Sequence, residues 1–97
     1  MTKRRVVITG MGMVSPVGLN VKESWQSILA GRCGIRKIVE FDATDYATQI
    51  WAKVKGFNIE DYVPLKDARK MDLFTQYGIA AAEEAILDSG LIFDETV

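Results

Sequence analysis

A short strand-like run, a glycine-rich turn and a capped helix open this chain, and they limit its fold more than any other feature. The run from Arg5 to Thr9 is β-branched and predicts a buried strand of the kind found in parallel sheets. Residues 10–18, with three glycines and a proline, predict a loop. Asn20 is a good N-cap and Glu23 occupies the third helical position of a capping box. The helix is predicted to end at Gly31, and its apolar face is Val21, Trp25, Ile28 and Leu29.

The remaining sequence predicts one further strand and one long helix. Residues 32–46 lack a sustained period and predict an ordered loop, whereas residues 48–55 alternate as a half-exposed strand does. After a connection at 57–64, a helix is predicted from Leu65 to Ser89, with Gly90 just beyond its end. Its apolar face reads as an ordinary core face and comprises Ala68, Met71, Phe74, Gly78, Ala82, Ala85 and Ile86.

This inventory of elements predicts an α/β fold that is incomplete within residues 1–97. Two strands leave open sheet edges, and a sheet that small seldom stands alone. With 97 residues, 48% of them hydrophobic, the chain has enough apolar content for only a limited core. We therefore expect a part of a larger domain.

The composition excludes most common catalytic machinery from this chain. There is no histidine, which excludes Ser-His-Asp and Cys-His pairs and zinc sites that contain histidine. Cys33 is the single cysteine, so neither an internal disulfide nor a cysteine-only metal site can form, and a reducing compartment is expected. The net charge of −1 argues against nucleic-acid binding. No secretory signal or membrane-spanning stretch is expected, which favours a cytoplasmic protein.

Two single features suggest chemistry but match it poorly. Gly10-x-Gly12 resembles the start of a dinucleotide-binding turn, yet Ser15 stands where the third glycine belongs, and the next helix begins too late. A structural turn is the favoured interpretation and a nucleotide-binding α/β fragment is the alternative. Cys33 follows a helix and has no histidine to act as its base, so we expect it to be a small packed or loop residue.

The charges on the predicted long helix oppose its dipole. Lys66, Arg69 and Lys70 fall on one face near its beginning, and acidic residues fall near its end, where each sign is disfavoured by about 0.3 to 1 kcal/mol. An acidic partner would explain the basic end. A solvated charged face is the simpler alternative, and a noncatalytic module that docks an acidic protein is a further one.

Taken together, three segments of the chain resemble the β-ketoacyl-acyl carrier protein synthases. These segments are residues 5–18, Ala30-Gly31-Arg32-Cys33-Gly34-Ile35 and Arg69-Lys70-Met71-Asp72. Phe41-Asp42, Tyr46-Ala47-Thr48 and the stretch from Arg69 to Leu91 are most similar to the type II elongating enzymes of bacterial fatty acid synthesis.

The resemblance implies the N-terminal part of a thiolase-like layered α/β/α/β/α fold. It implies an acyltransferase that performs a decarboxylative Claisen condensation with malonyl-acyl carrier protein, and a homodimeric complete enzyme. The family's catalytic cysteine, two histidines and lysine match no position in 1–97, so the chain alone is expected to be inactive. Cys33 occupies a loop position that holds a small residue in the family, and the resemblance gives it no catalytic role. The resemblance implies that Lys66, Arg69 and Lys70 form a surface that contacts acyl carrier protein. The phosphopantetheine is carried by that protein, and no cofactor or metal is expected to bind this chain.

Overall fold

The computed structural model describes residues 3–94. In these residues the elements follow in the order helix, two strands and two helices. Helix α1 spans Val21–Leu29, strand β1 Ile35–Lys37, strand β2 Ile50–Ala52, helix α2 Leu65–Ala68 and helix α3 Leu73–Ser89, with a single 3-10 turn at Ile59–Asp61 before α2. Strands and helices are therefore mixed along the chain, as predicted.

Helix α1 confirms its predicted start. The Glu23 amide donates to the Asn20 side chain at 2.8 Å, and the Glu23 carboxylate accepts from the Leu19 amide at 3.0 Å. This reciprocal pair satisfies two backbone donors that the helix itself leaves unbonded. The buried side of α1, however, is polar: Ser24 is 1% exposed while Trp25 is 58% exposed. The predicted apolar face therefore lies on the surface of this chain.

The sheet differs from the prediction in two places. Residues 32–46 are not only a loop, because β1 lies among them and pairs antiparallel with β2, with Arg36 opposite Trp51. The pattern at 48–55 is confirmed as a strand of three residues. Residues 5–9 do not form the predicted strand, because no other strand in residues 3–94 pairs with them. Their apolar side chains, Val6, Val7 and Ile8, are 67 to 87% exposed.

The predicted long helix is two helices. Helix α2 ends at Ala68, and α3 begins at Leu73 after Asp72, whose extended backbone (φ −73°, ψ 161°) places it at the N-cap. The far end is confirmed, since Gly90 follows α3 with a φ of 72° that favours glycine.

Little of the chain is buried. Among residues 3–94, the buried apolar residues are Ala43, Ala68 and Ala80, and the buried polar residues are Ser24 and Ser27. The radius of gyration is 17.7 Å, whereas a compact domain of this length has about 12.5 Å. The accessible surface of 8237 Å² likewise exceeds the roughly 5500 Å² of a compact protein of this mass. The apolar faces of α1 and of residues 6–8 therefore require covering by further protein.

Candidate functional site

The three basic residues singled out by the sequence lie around the short helix α2. Lys66 lies within α2, Arg69 ends it and Lys70 follows, and all three are exposed. The expectation that they begin one long helix is wrong. Arg69 and Lys70 lie instead at the carboxyl end of α2, where cations are the favourable sign, and Lys66 lies in its single turn. The dipole therefore gives no reason of its own to expect an acidic partner.

A side chain of α3 fixes the turn that carries these cations. The Gln76 side-chain amide donates to the carbonyl of Ala68 at 3.3 Å and to that of Met71 at 3.4 Å. Carbonyls at a helix end need such partners, because the helix itself provides none. Ala68 is only 3% exposed, so α2 is anchored on its inner side as well. Within residues 3–94, no ion pair occupies Lys66, Arg69 or Lys70.

The glycine segment, residues 10–13, packs against helix α3. A Cβ added to Gly12 would lie 1.7 Å from the Ala81 carbonyl oxygen, and one added to Gly10 would lie 2.2 Å from that of Ala85. Both glycines therefore permit the glycine segment to lie directly on the backbone of α3. The short side chains of Ala81 and Ala85 leave the α3 backbone open to this close approach.

Carboxylates on α3 bind the amides of the same segment. Asp88 accepts from the Met11 amide at 3.1 Å, and Glu84 accepts from the Met13 amide at 2.9 Å. Glu84 also accepts from the Val21 amide at 3.1 and 3.2 Å, at the first position of α1. A phosphate at this turn would face two carboxylates and find its amides occupied, so the geometry is unsuited to the nucleotide-binding alternative.

These contacts explain the acidic end of α3, which the sequence left unexplained. The dipole cost of Glu84 and Asp88 is offset by charge-assisted hydrogen bonds to distant amides. Their unfavourable placement was the only sequence signal for this role. Gln76 gave no such signal, because its contacts depend on the break between α2 and α3.

Cys33 is exposed and lies outside the helices and strands. Its nearest polar contact is the Ile35 carbonyl oxygen, at 3.9 Å from Sγ. This placement fits the loop residue that the sequence predicted. In the described residues, no group of three or more histidine, cysteine, aspartate or glutamate side chains could hold a metal ion. None of the helices in that part of the chain is long and apolar enough to cross a membrane.

An aromatic cluster joins the segment before α2 to α3. Phe57 stacks on Tyr62 with ring centroids 5.8 Å apart and meets Tyr77 edge to face at 5.0 Å. Desolvation of the phenol raises the pKa of Tyr62, and the negative charges of Asp61, Glu83, Glu84 and Glu23 raise it further.

Comparison with known proteins gives one consistent match. Residues 3–96 match the family model of the β-ketoacyl synthase N-terminal domain. The chain is 58% identical over 95 residues to the 3-oxoacyl-[acyl-carrier-protein] synthase 2 of Vibrio cholerae, which covers 98% of this chain and 23% of that protein. It is 49% identical over 92 residues to the protein of the same name from Staphylococcus aureus. That match covers 95% of this chain and 22% of the relative. The chain thus spans less than a quarter of the length of these relatives.

Solved structures agree with this match. The ishigamide ketosynthase/chain length factor superposes with a TM-score of 0.76 at 37% identity, over 94% of this chain and 23% of that one. A β-ketoacyl synthase from Burkholderia phymatum STM815 gives a TM-score of 0.74 at 32% identity, over 98% and 24%. The fold is therefore a portion of the thiolase-like fold that the sequence predicted.

Proposed function

Because this chain belongs to the β-ketoacyl synthase family, we propose that it forms part of a 3-oxoacyl-acyl carrier protein synthase of fatty acid elongation. In the proposed reaction an enzyme acyl group condenses with malonyl-acyl carrier protein. Loss of CO₂ from the malonyl carboxylate supplies the carbanion, which attacks the carbonyl of the acyl thioester. A carbon–carbon bond forms, the carbon–sulfur bond breaks, and the enzyme thiolate is released. The identity of 58% with a protein of that name is the observation that carries this proposal.

The contribution of residues 1–97 would be structural and would include docking of the carrier. The chain has no histidine that could act as a base for its one cysteine. We expect the catalytic cysteine, two histidines and lysine in the remainder of a complete synthase. The isolated chain would then give no condensation, and it would require that remainder to cover its exposed apolar faces. In this proposal the complete enzyme is a cytoplasmic homodimer, and the phosphopantetheine is covalently attached to its carrier substrate.

Lys66, Arg69 and Lys70 form the proposed carrier-docking surface. They are exposed and free of ion pairs in the described residues, and Gln76 fixes the turn beneath them. A fixed cluster of one charge attracts an acidic surface and speeds its association, especially at low salt. This arrangement supports docking without the dipole argument.

Charge reversal tests the docking surface. In the complete synthase that carries this chain, K66E with R69E should weaken binding of acyl carrier protein about tenfold at low salt, since two attractions become repulsions. The apparent KM for the carrier should rise while kcat changes little. The matched control is R4E with K22E, which reverses two other exposed cations.

Unchanged carrier affinity of the reversed variant at low salt would refute the docking surface. A condensation assay on the same complete protein tests the function separately. Carrier binding without any condensation would favour the alternative of a noncatalytic module that docks an acidic protein.

A further inference from the structure

A second basic feature lies away from the carrier-docking surface, in a cleft between residues 15–19 and the start of β1. The cleft has a volume of about 470 Å³, and three cations line it: Arg32, Arg36 and Lys55. All three are exposed, and none has an ion pair within residues 3–94. Among the residues that the structure describes, Glu23 is the only carboxylate in the lining, and it already accepts from the Leu19 amide. The cleft therefore has an excess of two positive charges.

One wall of the cleft is fixed by hydrogen bonds to buried serines of α1. Ser27, which is 4% exposed, donates from Oγ to the Val17 carbonyl at 2.8 Å. Ser15 and Ser24 join through their hydroxyls at 2.7 Å, and Ser15 also closes the tight turn with Gly18. This wall is therefore formed before any ligand arrives.

The cations reach the cleft because β1 begins directly against this wall. A Cβ on Gly34 would lie 2.7 Å from Cβ of Pro16, so only glycine permits the approach. The Arg32 amide donates to the Ser27 carbonyl at 2.9 Å, which fixes the chain where it leaves α1. Arg36 lies within β1, paired with β2, and Lys55 follows β2. The hydrogen bond to Ser27 thus holds the backbone at Arg32, and the paired strands hold the backbone at Arg36 and next to Lys55.

We propose that this cleft binds a small molecule through a phosphate or pyrophosphate group. A phosphate monoester carries about −1.5 to −2 charges, which matches the excess of two cations. The arginine guanidinium forms paired hydrogen bonds to such oxygens, and a cleft of this volume is typical of small-molecule sites. An acidic protein surface is disfavoured because the cations line a concave cleft rather than a projecting face. This site lies beyond the proposed condensation function and does not depend on it.

Cys33 provides a reporter, because it lies in the cleft lining and peptide mapping separates its label from that of any cysteine in the remainder of the complete protein. In the purified complete protein that carries this chain, peptide mapping follows the rate at which Cys33 reacts with the neutral reagent 2,2′-dithiodipyridine, against increasing pyrophosphate, inorganic phosphate or sodium chloride at equal ionic strength. Pyrophosphate and phosphate should slow the reaction saturably, whereas sodium chloride at the same ionic strength should not, because chloride lacks the paired oxygens that arginine binds. The dianionic reagent 5,5′-dithiobis(2-nitrobenzoate) should react about tenfold faster than in the variant R36Q with K55Q.

The variants decide the outcome. R36Q with K55Q should abolish protection by pyrophosphate, and K22Q, an exposed lysine outside the cleft lining, should retain it. Circular dichroism shows whether each variant keeps the fold. The proposal is overturned if pyrophosphate gives no saturable protection, or if R36Q with K55Q is protected as well as the unaltered protein. Protection by polyglutamate without protection by pyrophosphate would also overturn it, in favour of an acidic protein partner.

Discussion

Substitution of Gly12 by alanine tests whether the glycine segment serves to pack against α3. The new Cβ would lie 1.7 Å from the Ala81 carbonyl oxygen, whereas real Cβ contacts are essentially never under 3.0 Å. The segment would have to withdraw by the difference, about 1.3 Å. The neighbouring bond from the Met13 amide to Glu84, 2.9 Å long, would then exceed hydrogen-bond range unless α3 followed.

The magnitude follows from the bonds at risk. The amides of Met11 and Met13 both donate to carboxylates, and a hydrogen bond to a charged group contributes about 1.5 to 3 kcal/mol. Loss of both costs about 3 to 6 kcal/mol, a large share of the 5 to 15 kcal/mol typical of a domain. G12A should therefore lower the urea midpoint steeply or prevent folding.

Gly78 supplies the matched control. It lies within α3, and a Cβ there would meet no atom within 4 Å. G78A should stabilise the protein by about 0.5 to 1 kcal/mol, because alanine loses less backbone entropy in a helix. Urea unfolding followed by circular dichroism compares the two variants. A G12A midpoint equal to that of the unaltered protein would refute the packing role, as would equal destabilisation by G78A.

Two further predictions concern α3 and the aromatic cluster. E84Q should lose about 1 to 3 kcal/mol of unfolding free energy, because the neutral oxygen of glutamine accepts more weakly than a carboxylate oxygen and its amide nitrogen replaces one of the two oxygens that bond the Val21 amide. E83Q, an exposed neighbour, should lose little, and hydrogen exchange at Val21 measures the difference. The raised pKa of Tyr62 predicts stability that is fully present below the unfolded phenol's pKa of about 10 and is lost as pH rises through the higher folded value. Ultraviolet titration of the unaltered protein and of Y62F measures this, and a Tyr62 phenol that ionises at or below pH 10 would contradict it.

Local signals predicted helix α1 well, because its N-cap and the helical spacing of its apolar residues both depend on a few neighbouring residues. The Asn20 cap acts over three residues, and the structure reproduces it. Gly90 marked the end of α3 for the same reason, since a left-handed backbone there depends mainly on the residue itself.

Features that depend on distant contacts were not predictable in this way. Strand β1 exists through pairing of Ile35 with Ala52, and its own sequence has no strand period. The break at residues 69–72 separates stretches that both favour helix, and Gln76 stabilises it by contacts across the turn. Residues 5–9 show the reverse case, because a strand pattern cannot form a ladder without a partner strand.

The candidate sites also include both residues that the sequence singled out and a feature that it did not predict. Spacing and charge singled out Lys66, Arg69 and Lys70, and the resemblance supplied their proposed role in carrier docking. The structure shows all three exposed. The dipole argument failed because it assumed one continuous helix. The cleft at Arg32, Arg36 and Lys55 was not predicted, since it depends on β1 lying against residues 15–19.

The bond between the Met11 amide and Asp88 has a consequence for the order of folding. Its partners are 77 residues apart, so the N-terminal segment cannot dock until nearly all of this chain has been synthesised. At about 5 to 20 residues per second, that delay is about 4 to 15 s, far longer than helix formation or closure of a short loop. During this interval residues 10–13 have no contact with α3, and Val6, Val7 and Ile8, which stay 67 to 87% exposed even after those residues dock, are uncovered throughout. We therefore expect this segment to be a point of chaperone binding or aggregation during synthesis.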